Sequence, residues 1–561
     1  MTELLHPGLV LVGGGLIAAG LRGLPRQVVV LLAPLAAFAL VCTAPEGILW
    51  RTEFMGHALQ PYAVDKLSRI FAIIFTFAAF GGALFALNRD SRLELPAALI
   101  YAGSAVGVVL AGDLITVFLF WELMAIGSTL VIWSAGTPHS RSASFRYLMI
   151  HLLGGVLLMA GIAGHVVDTG SVAFTRIGLD SPAHALILAG FLINAAAPPL
   201  SAWLPDAYPE ASWSGTVFLS AFTTKTAVYV LLRGYPGTEL LVYVGLFMVF
   251  YGIVFALIEN DMRRIFAYSI VSQVGFMVAG IGIGTEMALN GAAAHAFAHI
   301  LYKALLLMAA GSVLYVTGLR KCTDLGGLFR SMPFTATCAV IGAASISAFP
   351  LTSGFASKSM LSQAAAESQL LGVWLLFAAA SAGTFLYAGI KFPWMVFFGR
   401  DAGLRPPEPP LNMRLAMLLF ALLCIGVGVF YTPLYALLPY ATNYVPYDAP
   451  HVLGQLQLLL FSALAFFLLL PLLRGTPAIT LDTDWLYRRA GPALLRACTR
   501  GLTKGLGALG EGVGRIRAQL LGWAERWHGA GRPLAQSITS GTMALWAGAL
   551  LALYLLVFYL D

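Results

Sequence analysis

The stretch Phe118–Trp133, FLFWELMAIGSTLVIW, is apolar almost throughout yet holds one carboxylate, Glu122, near its middle. Runs of this kind recur from Pro7 to Leu560, and many reach the roughly 20 residues that a helix needs to cross a bilayer. The 561-residue chain is 59% hydrophobic and 11% charged, where a soluble protein would carry about 25% charged residues. Its apolar runs are apolar on all sides, whereas the strands of a membrane barrel alternate apolar and polar residues. The chain therefore reads as an all-α polytopic membrane protein.

About sixteen spans are expected, centred near residues 14, 34, 74, 103, 124, 155, 193, 223, 248, 274, 304, 345, 383, 422, 462 and 550. The first run has no basic leader and no convincing small-residue cleavage site, and reads as a retained span. Loops after odd-numbered spans hold most of the basic residues, Arg22, Arg26, Arg89, Arg141, Arg146 and Arg263 among them, while loops after even-numbered spans hold few, such as Arg51 and Arg176. The positive-inside rule then places both termini outside the cytoplasm of a cell inner (plasma) membrane. The same placement makes the net charge of +7 a matter of topology, with no nucleic-acid partner. The five cysteines are scattered with no metal-ligand spacing, so neither a disulfide framework nor a metal cluster is expected.

Beyond Asp484 the character changes. Basic residues from Arg488 to Arg532 accompany an apolar stripe of Leu495, Leu502, Leu506, Leu509, Val513, Ile516, Leu520, Trp523 and Trp527. After the first step the spacing alternates four and three, which marks one face of a helix. An amphipathic helix along the cytoplasmic surface is expected, followed by a final anchor span. Glycines such as Gly501, Gly505 and Gly507 keep a flexible basic tether open as the alternative.

Two spans are interrupted. NAAAPPLSAWLP (Asn194–Pro205) and FPLTSGFASK (Phe349–Lys358) set Pro198, Pro199, Pro350 and Gly354 inside apolar runs. Proline removes a backbone donor and clashes with the preceding turn. In lipid the freed carbonyls need partners, so such breaks persist where they are buried in protein or line a wet cavity. A pair of broken spans, one in each half, points to inverted repeats and a transport path, against the plainer reading of two ordinary proline kinks.

Glu122 fits that path. A charge at the centre of a spanning helix costs roughly 2.5 to 3.5 kcal/mol on insertion scales, so it needs a cation, a proton or water beside it. A carboxyl able to be neutral or charged there is a proton carrier; the alternative is a structural acid paired with a neighbouring helix. Lys225 lies at similar depth in FLSAFTTKTAVYVLL, and His295, His299 and Lys303 fall at four-residue spacing on one helix face. Lys358 follows the second break, and Lys391 lies in the next span. Lone embedded histidines usually serve packing, and Lys303 and above all Lys391 are placed to snorkel toward an interface. Asp65 and Asp113 lie near span ends and read as solvated. Together the acid, lysines and histidines over five spans form a horizontal chain of proton sites. No HExxH or GxSxG motif supports an intramembrane hydrolase. Heme ligation by His295 and His299 would need partners elsewhere, with His151 and His165 as the other embedded candidates.

The stretches FLFWELM, WLPDAYPEA, FTTKTAVYVLLR, NDMRRIFAYSIVSQVGFM, HAFAHILYKALLLMAAGSV and FPLTSGFASKSML, in this order, resemble the proton-conducting antiporter family. That family includes the D-type and A-type subunits of Mrp-type sodium/proton antiporters, the antiporter-like subunits of respiratory complex I, and kin in membrane-bound hydrogenases. The resemblance covers roughly Asp65 to Pro393. It implies two inverted five-helix repeats, each with a broken helix, and a proton pathway through Glu122, Lys225, His299, Lys303 and Lys358, to which the helical spacing adds His295. The implied segments are N-terminal helices (1–90), a first half-channel (91–235), a second half-channel (236–398), C-terminal helices (399–475), a lateral amphipathic helix (476–535) and a final anchor (536–561). It also implies other membrane subunits as partners, with protons and candidate sodium as the ions moved; no cofactor is expected, since the sequence shows no binding motif for one. One position departs. Where relatives carry a lysine that pairs with the glutamate, this chain has Asn194, which hydrogen-bonds but does not titrate. A larger energy-converting complex, such as complex I, a hydrogenase or an inorganic-carbon uptake system, and a non-conducting scaffold remain the alternatives to an Mrp-type antiporter.

Overall fold

The sixteen apolar runs fold as helices. The computed structural model describes residues 5–473, 482–532, 534–535 and 539–560. Among these, twelve helices are long and apolar enough to cross a membrane and four more are apolar but shorter; every expected centre falls within one of them. The chain forms two units, Met1–Asp484 and Trp485–Asp561. The boundary expected at 475/476 lies outside the described residues, as does residue 536, where the anchor was expected to begin.

The first unit opens with α1 (Pro7–Gly20) and α2 (Gly23–Thr43), then a hairpin of β1 (Gly47–Phe54) and β2 (His57–Val64). This hairpin corrects the reading of the Arg51 segment as a loop. Met55 and Gly56 both take positive φ, 50° and 79°, as a two-residue hairpin turn requires. Next come α3 (Lys66–Phe85), α4 (Glu94–Val109), α5 (Leu114–Trp133), α6 (Pro138–Thr169), α7 (Pro182–Asn194), α8 (Trp203–Ala207), α9 (Gly215–Ala221) and α10 (Thr223–Gly234). Then follow α11 (Leu240–Ile258), α12 (Met262–Ile283), α13 (Glu286–Thr317), α14 (Pro333–Ile346), α15 (Ser353–Glu367) and α16 (Leu371–Thr384), the last continuing as π-helix over Phe385–Lys391 and Trp394–Phe398. The unit ends with α17 (Leu411–Val429), α18 (Thr432–Ala436), α19 (Ala449–Leu468) and α20 (Leu470–Leu473).

Two sets of five crossings are visible, α4 to α10 and α11 to α16, and in each the fourth crossing is broken, between α7 and α8 and between α14 and α15. Five is odd, so the second set starts from the opposite side of the membrane and runs inverted. The breaks match atom for atom at their start. Ala196 and Ala348 each sit two residues past the last helical residue with φ of 61° and 55°. The amides of Ala196 and Ala197 bond the carbonyls of Ile193 and Leu192, and those of Ala348 and Phe349 bond Ser345 and Ala344, all at 3.0 Å. This is the Schellman helix stop, with proline two residues on in both, at Pro198 and Pro350. Alanine in the left-handed region is uncommon and survives only where its surroundings enforce it.

The core lies around α12 and α13, which are buried along most of their length. Small residues bring α11 onto α12: a methyl on Gly252 would lie 2.6 Å from the Ser272 amide nitrogen. Such close helix approach is a common solution in membranes, where apolar burial between helices gives little.

The second unit holds α21 (Gly491–His528) and α22 (Ser540–Leu560). The 38 residues of α21 span about 57 Å at 1.5 Å per residue. Its glycines do not break the helix, and its apolar stripe from Leu495 to Trp527 is exposed.

Candidate functional site

In the first set of helices the site forms at a notch in α6. Glu122 on α5 is half-buried, with Oε1 enclosed and without a hydrogen-bond partner among the described residues. Its carboxylate fills the space where Gly155 of α6 lacks a side chain; a methyl there would lie 2.8 Å from the carboxyl carbon. The neighbouring Gly154 faces Asn194, the last residue of α7, and a methyl would lie 3.6 Å from Asn194 Oδ1. Asn194 is fully buried and neither of its amide atoms has a partner among the described residues. The Gly154–Gly155 pair thus brings α6 against both polar side chains.

Lys225 stands on α10, just after a kink at Phe222 that separates α9 from α10. It is wholly buried, and its ammonium donates to the Ser220 carbonyl at 2.7 Å and to Thr224 Oγ1 at 3.2 Å. The kink frees the carbonyl and the lysine takes it, with the cation at the negative end of α9. Around it run buried hydroxyls: Tyr101 bonds Thr223 Oγ1 at 2.6 Å, and Tyr147 donates to Ser128 at 2.9 Å.

The second set is more closely linked. His295, His299 and Lys303 line one face of α13, all fully buried. Lys303 donates to Ser269 Oγ on α12 at 2.6 Å. One turn on, Gln273 meets His295 Nε2 at 3.3 Å, the Tyr302 hydroxyl at 3.3 Å and Thr384 at 3.3 Å. His295 Nδ1 lies 2.9 Å from Ser357 Oγ, beside Lys358 on α15. Lys358 donates to the Ile346 carbonyl, freed by the break, at 2.8 Å. The ring nitrogens of His299 have no partner among the described residues, and its ring lies 6.3 Å from that of His295. Lys358 also borders a cavity of about 250 Å³ lined by Phe276, Trp374, Phe377, His451 and Gln455.

Several expectations need correction. Lys391 does not snorkel: it is buried, and its ammonium donates at 2.6 Å to the carbonyls of Leu257 and Glu259, closing the C-terminal end of α11. Lys303 likewise points into the core. Asp113 is not solvated; it is buried and caps α5, accepting from the amides of Gln60 and Thr116 at 2.7 Å and from the Thr116 hydroxyl at 2.8 Å. Asp65 caps α3 and pairs with Arg233 at 2.7 Å; partial burial pushes its carboxyl up, but Arg233 and the Ser68 amide outweigh that and hold it below the usual range. Gln273, Ser269, Ser357 and Tyr302 were not singled out from sequence; the signal was there in a glutamine and serines inside an otherwise apolar run. The WLPDAYPEA stretch serves anchorage: Asp206 accepts two bonds from Arg146, at 2.7 and 2.8 Å, and Glu210 accepts from Arg320 at 3.1 Å.

Residues 111–385 match the family described as NADH:quinone oxidoreductase/Mrp antiporter, TM. The A/B subunit of a probable K(+)/H(+) antiporter of Rhizobium meliloti (strain 1021) is 34% identical over 59% of this chain, and the match spans 36% of that relative's length. The D-type subunit of a Na(+)/H(+) antiporter of Alkalihalophilus pseudofirmus is 29% identical over 55% of this chain and 69% of its own length. Among solved structures, the Mrp complex from Dietzia sp. DQ12-45-1b contains a chain with the same fold, at a TM-score of 0.77 and 24% identity over 88% of this chain and 59% of that one. The core of this chain, residues 111–385, thus carries the match to the NADH:quinone oxidoreductase/Mrp antiporter transmembrane family.

Proposed function

We propose that this chain is the proton-translocating membrane subunit of an Mrp-type monovalent cation/proton antiporter complex in the cell inner membrane, with both termini outside the cytoplasm. Protons pass along Glu122, Lys225, His299, Lys303 and Lys358, with His295 linking α13 to α15. The observation that carries this reading is the fate of the buried lysines. Each is held by neutral oxygens, Lys225 and Lys358 by carbonyls at helix interruptions and Lys303 by a hydroxyl, with no carboxylate among the described residues within salt-bridge distance. A lysine so held can lose its proton without stranding a buried counter-charge. Sodium is the candidate counter-ion, and other membrane subunits are the partners. The test is dye-monitored proton transport in vesicles carrying the intact complex. Glu122→Gln and Lys358→Ala should each abolish transport while assembly persists; normal transport in both variants sinks the reading.

The long α21 with its exposed apolar face favours one alternative, an antiporter-like component of a larger energy-converting complex. Purification with native partners separates the two: small antiporter subunits support the first, redox subunits the second. Asn194 at the notch motivates a third reading, a scaffold that does not conduct, which the same transport measurement addresses.

A further inference from the structure

We propose that His151 of α6 is the proton acceptor for Glu122 and relays the proton from the first break toward Lys225. The inference rests on the proton-translocating reading of the chain.

The notch around Gly154–Gly155 gathers Glu122 Oε1 and both amide atoms of Asn194, and His151 stands one turn earlier on α6; these atoms and His151 Nε2 are buried and lack partners among the described residues. Buried polar groups are nearly always bonded, so such a gathering marks a place built for something that comes and goes. Asn194 cannot take a proton. His151 can, and its state is set by its own helix. Nδ1 lies 2.9 Å from the Tyr147 carbonyl, which only accepts, so the ring hydrogen sits on Nδ1 and Nε2 presents its lone pair. The ring is held in that pose by stacking on Tyr147 at 3.8 Å and by the edge of Trp203 at 4.6 Å.

The spacing suits a relay. His151 and Gly155, where the Glu122 carboxylate rests, are one turn apart on a single face, roughly 6 Å between backbone positions along the axis, and the ring leans from there toward Tyr147, so the gap to the carboxylate is longer than that rise. A short file of water, donating O–H to Nε2 at its far end, covers about 2.8 Å per bond, so three bonds through two waters span roughly 8.4 Å. On the far side, Tyr147 is one turn earlier on the same face, and its hydroxyl lies 3.3 Å from Thr223 Oγ1. Thr223 opens α10, two residues before Lys225, whose ammonium bonds the intervening Thr224. Positions 147, 151 and 155 therefore bridge α5 to α10.

In the transfer the O–H bond of the Glu122 carboxylic acid breaks and an N–H bond forms at His151 Nε2. A neutral pair becomes a carboxylate and an imidazolium, with no change in net charge. The same proton then leaves Nε2 for the neutral amine of Lys225 along the Tyr147 and Thr223 hydroxyls, each giving up one proton as it takes another; the ring is neutral again with Nδ1–H still on the Tyr147 carbonyl, and the charges rest on the Glu122 carboxylate and the Lys225 ammonium.

The test uses the intact complex in vesicles. His151→Leu should lower proton flux by about ten-fold or more, the scale of a lost acid–base group, with the yield of assembled complex unchanged. Adding Asn194→Lys to that variant places a titratable group at the same notch and should restore most of the flux. Independently of transport, infrared difference spectra should show the protonated Glu122 carboxyl band, identified by its loss in Glu122→Gln, shifting in His151→Gln. That spectrum decides the matter if the double variant stays inactive. Normal flux in His151→Leu, or a carboxyl band indifferent to His151→Gln, overturns the assignment. If Glu122→Gln is dead and His151→Leu is normal, the relay alone falls; if both transport normally, the proton-translocating reading falls with it.

Discussion

The two broken helices begin alike and end differently. Both stop with the same pair of 3.0 Å bonds and an alanine in the left-handed region, and both place proline two residues later. Superposing the stops pairs Asn194 with Ile346. At the first break, the turn receives a neutral donor: Trp203 Nε1 bonds the Ile193 carbonyl at 2.9 Å. At the second, the donor is the Lys358 ammonium, on a cavity. The stop is thus a matter of backbone and proline chemistry, while the side chains that answer it set what each half can do. The first half carries its titratable groups on neighbouring helices, at Glu122 and Lys225; the second has such groups on α13 and adds one on α15, just past the break, whose ammonium bonds the carbonyl the break frees.

The comparison can be broken most forcefully at Gly354. Its absent side chain lets α15 pass directly over the Ser345 carbonyl, which a methyl would strike. Gly354→Ala should destabilise the protein by about 3 kcal/mol, the upper range for overpacking a core, and be read as a large drop in the thermal midpoint of the solubilised complex. A midpoint equal to that of the native protein would mean the two halves of the second break are not in fixed contact.

Much of this was legible beforehand because it rests on local chemistry. Pro198, Pro199 and Pro350 announce the breaks, and the apolar runs announce every span. The four-residue spacing of His295, His299 and Lys303 places them on one face, and α13 presents all three inward. What escaped depended on contacts distant in sequence. Lys391 stands close to a loop, which suggests snorkelling; its burial follows from the end of α11, more than 130 residues earlier, whose carbonyls it closes. Asp113 looks solvated until the β2 backbone arrives at Gln60 to donate to it. The hairpin itself is hidden because Met55 is an unusual residue for a turn with positive φ. Gln273 stands out as a polar residue in an apolar run, but what it joins, α12, α13 and the end of α16 through His295, Tyr302 and Thr384, is set by contacts that no local pattern shows.

A gentler perturbation bears on the neutral donor of the first break. Trp203→Phe keeps an aromatic ring beside His151 and Tyr147 but removes the N–H from the Ile193 carbonyl. The expected loss is about 1 to 2 kcal/mol, a buried acceptor left with one partner fewer, and should appear as a modest fall in the thermal midpoint. Hydrogen exchange should rise at the amides of Ala196 and Ala197 and not at Ala348 and Phe349. Equal change at both breaks would show that the two stops are coupled rather than separately closed.

The finest distinction lies at Asn194 itself. Writing the second break's residue into the first, Asn194→Ile, removes two buried amide atoms that have no partner among the described residues. Apolar replacement of an unsatisfied polar group is neutral or stabilising, so the thermal midpoint should hold or rise, by no more than about 1 kcal/mol in stability. Proton flux separates the meanings of that result. A more stable protein with reduced flux says that the amide keeps the notch polar for Glu122, at some cost in stability. A more stable protein with unchanged flux says that the residue opposite Ile346 is indifferent to conduction, and that the first half works through α5, α6 and α10 alone.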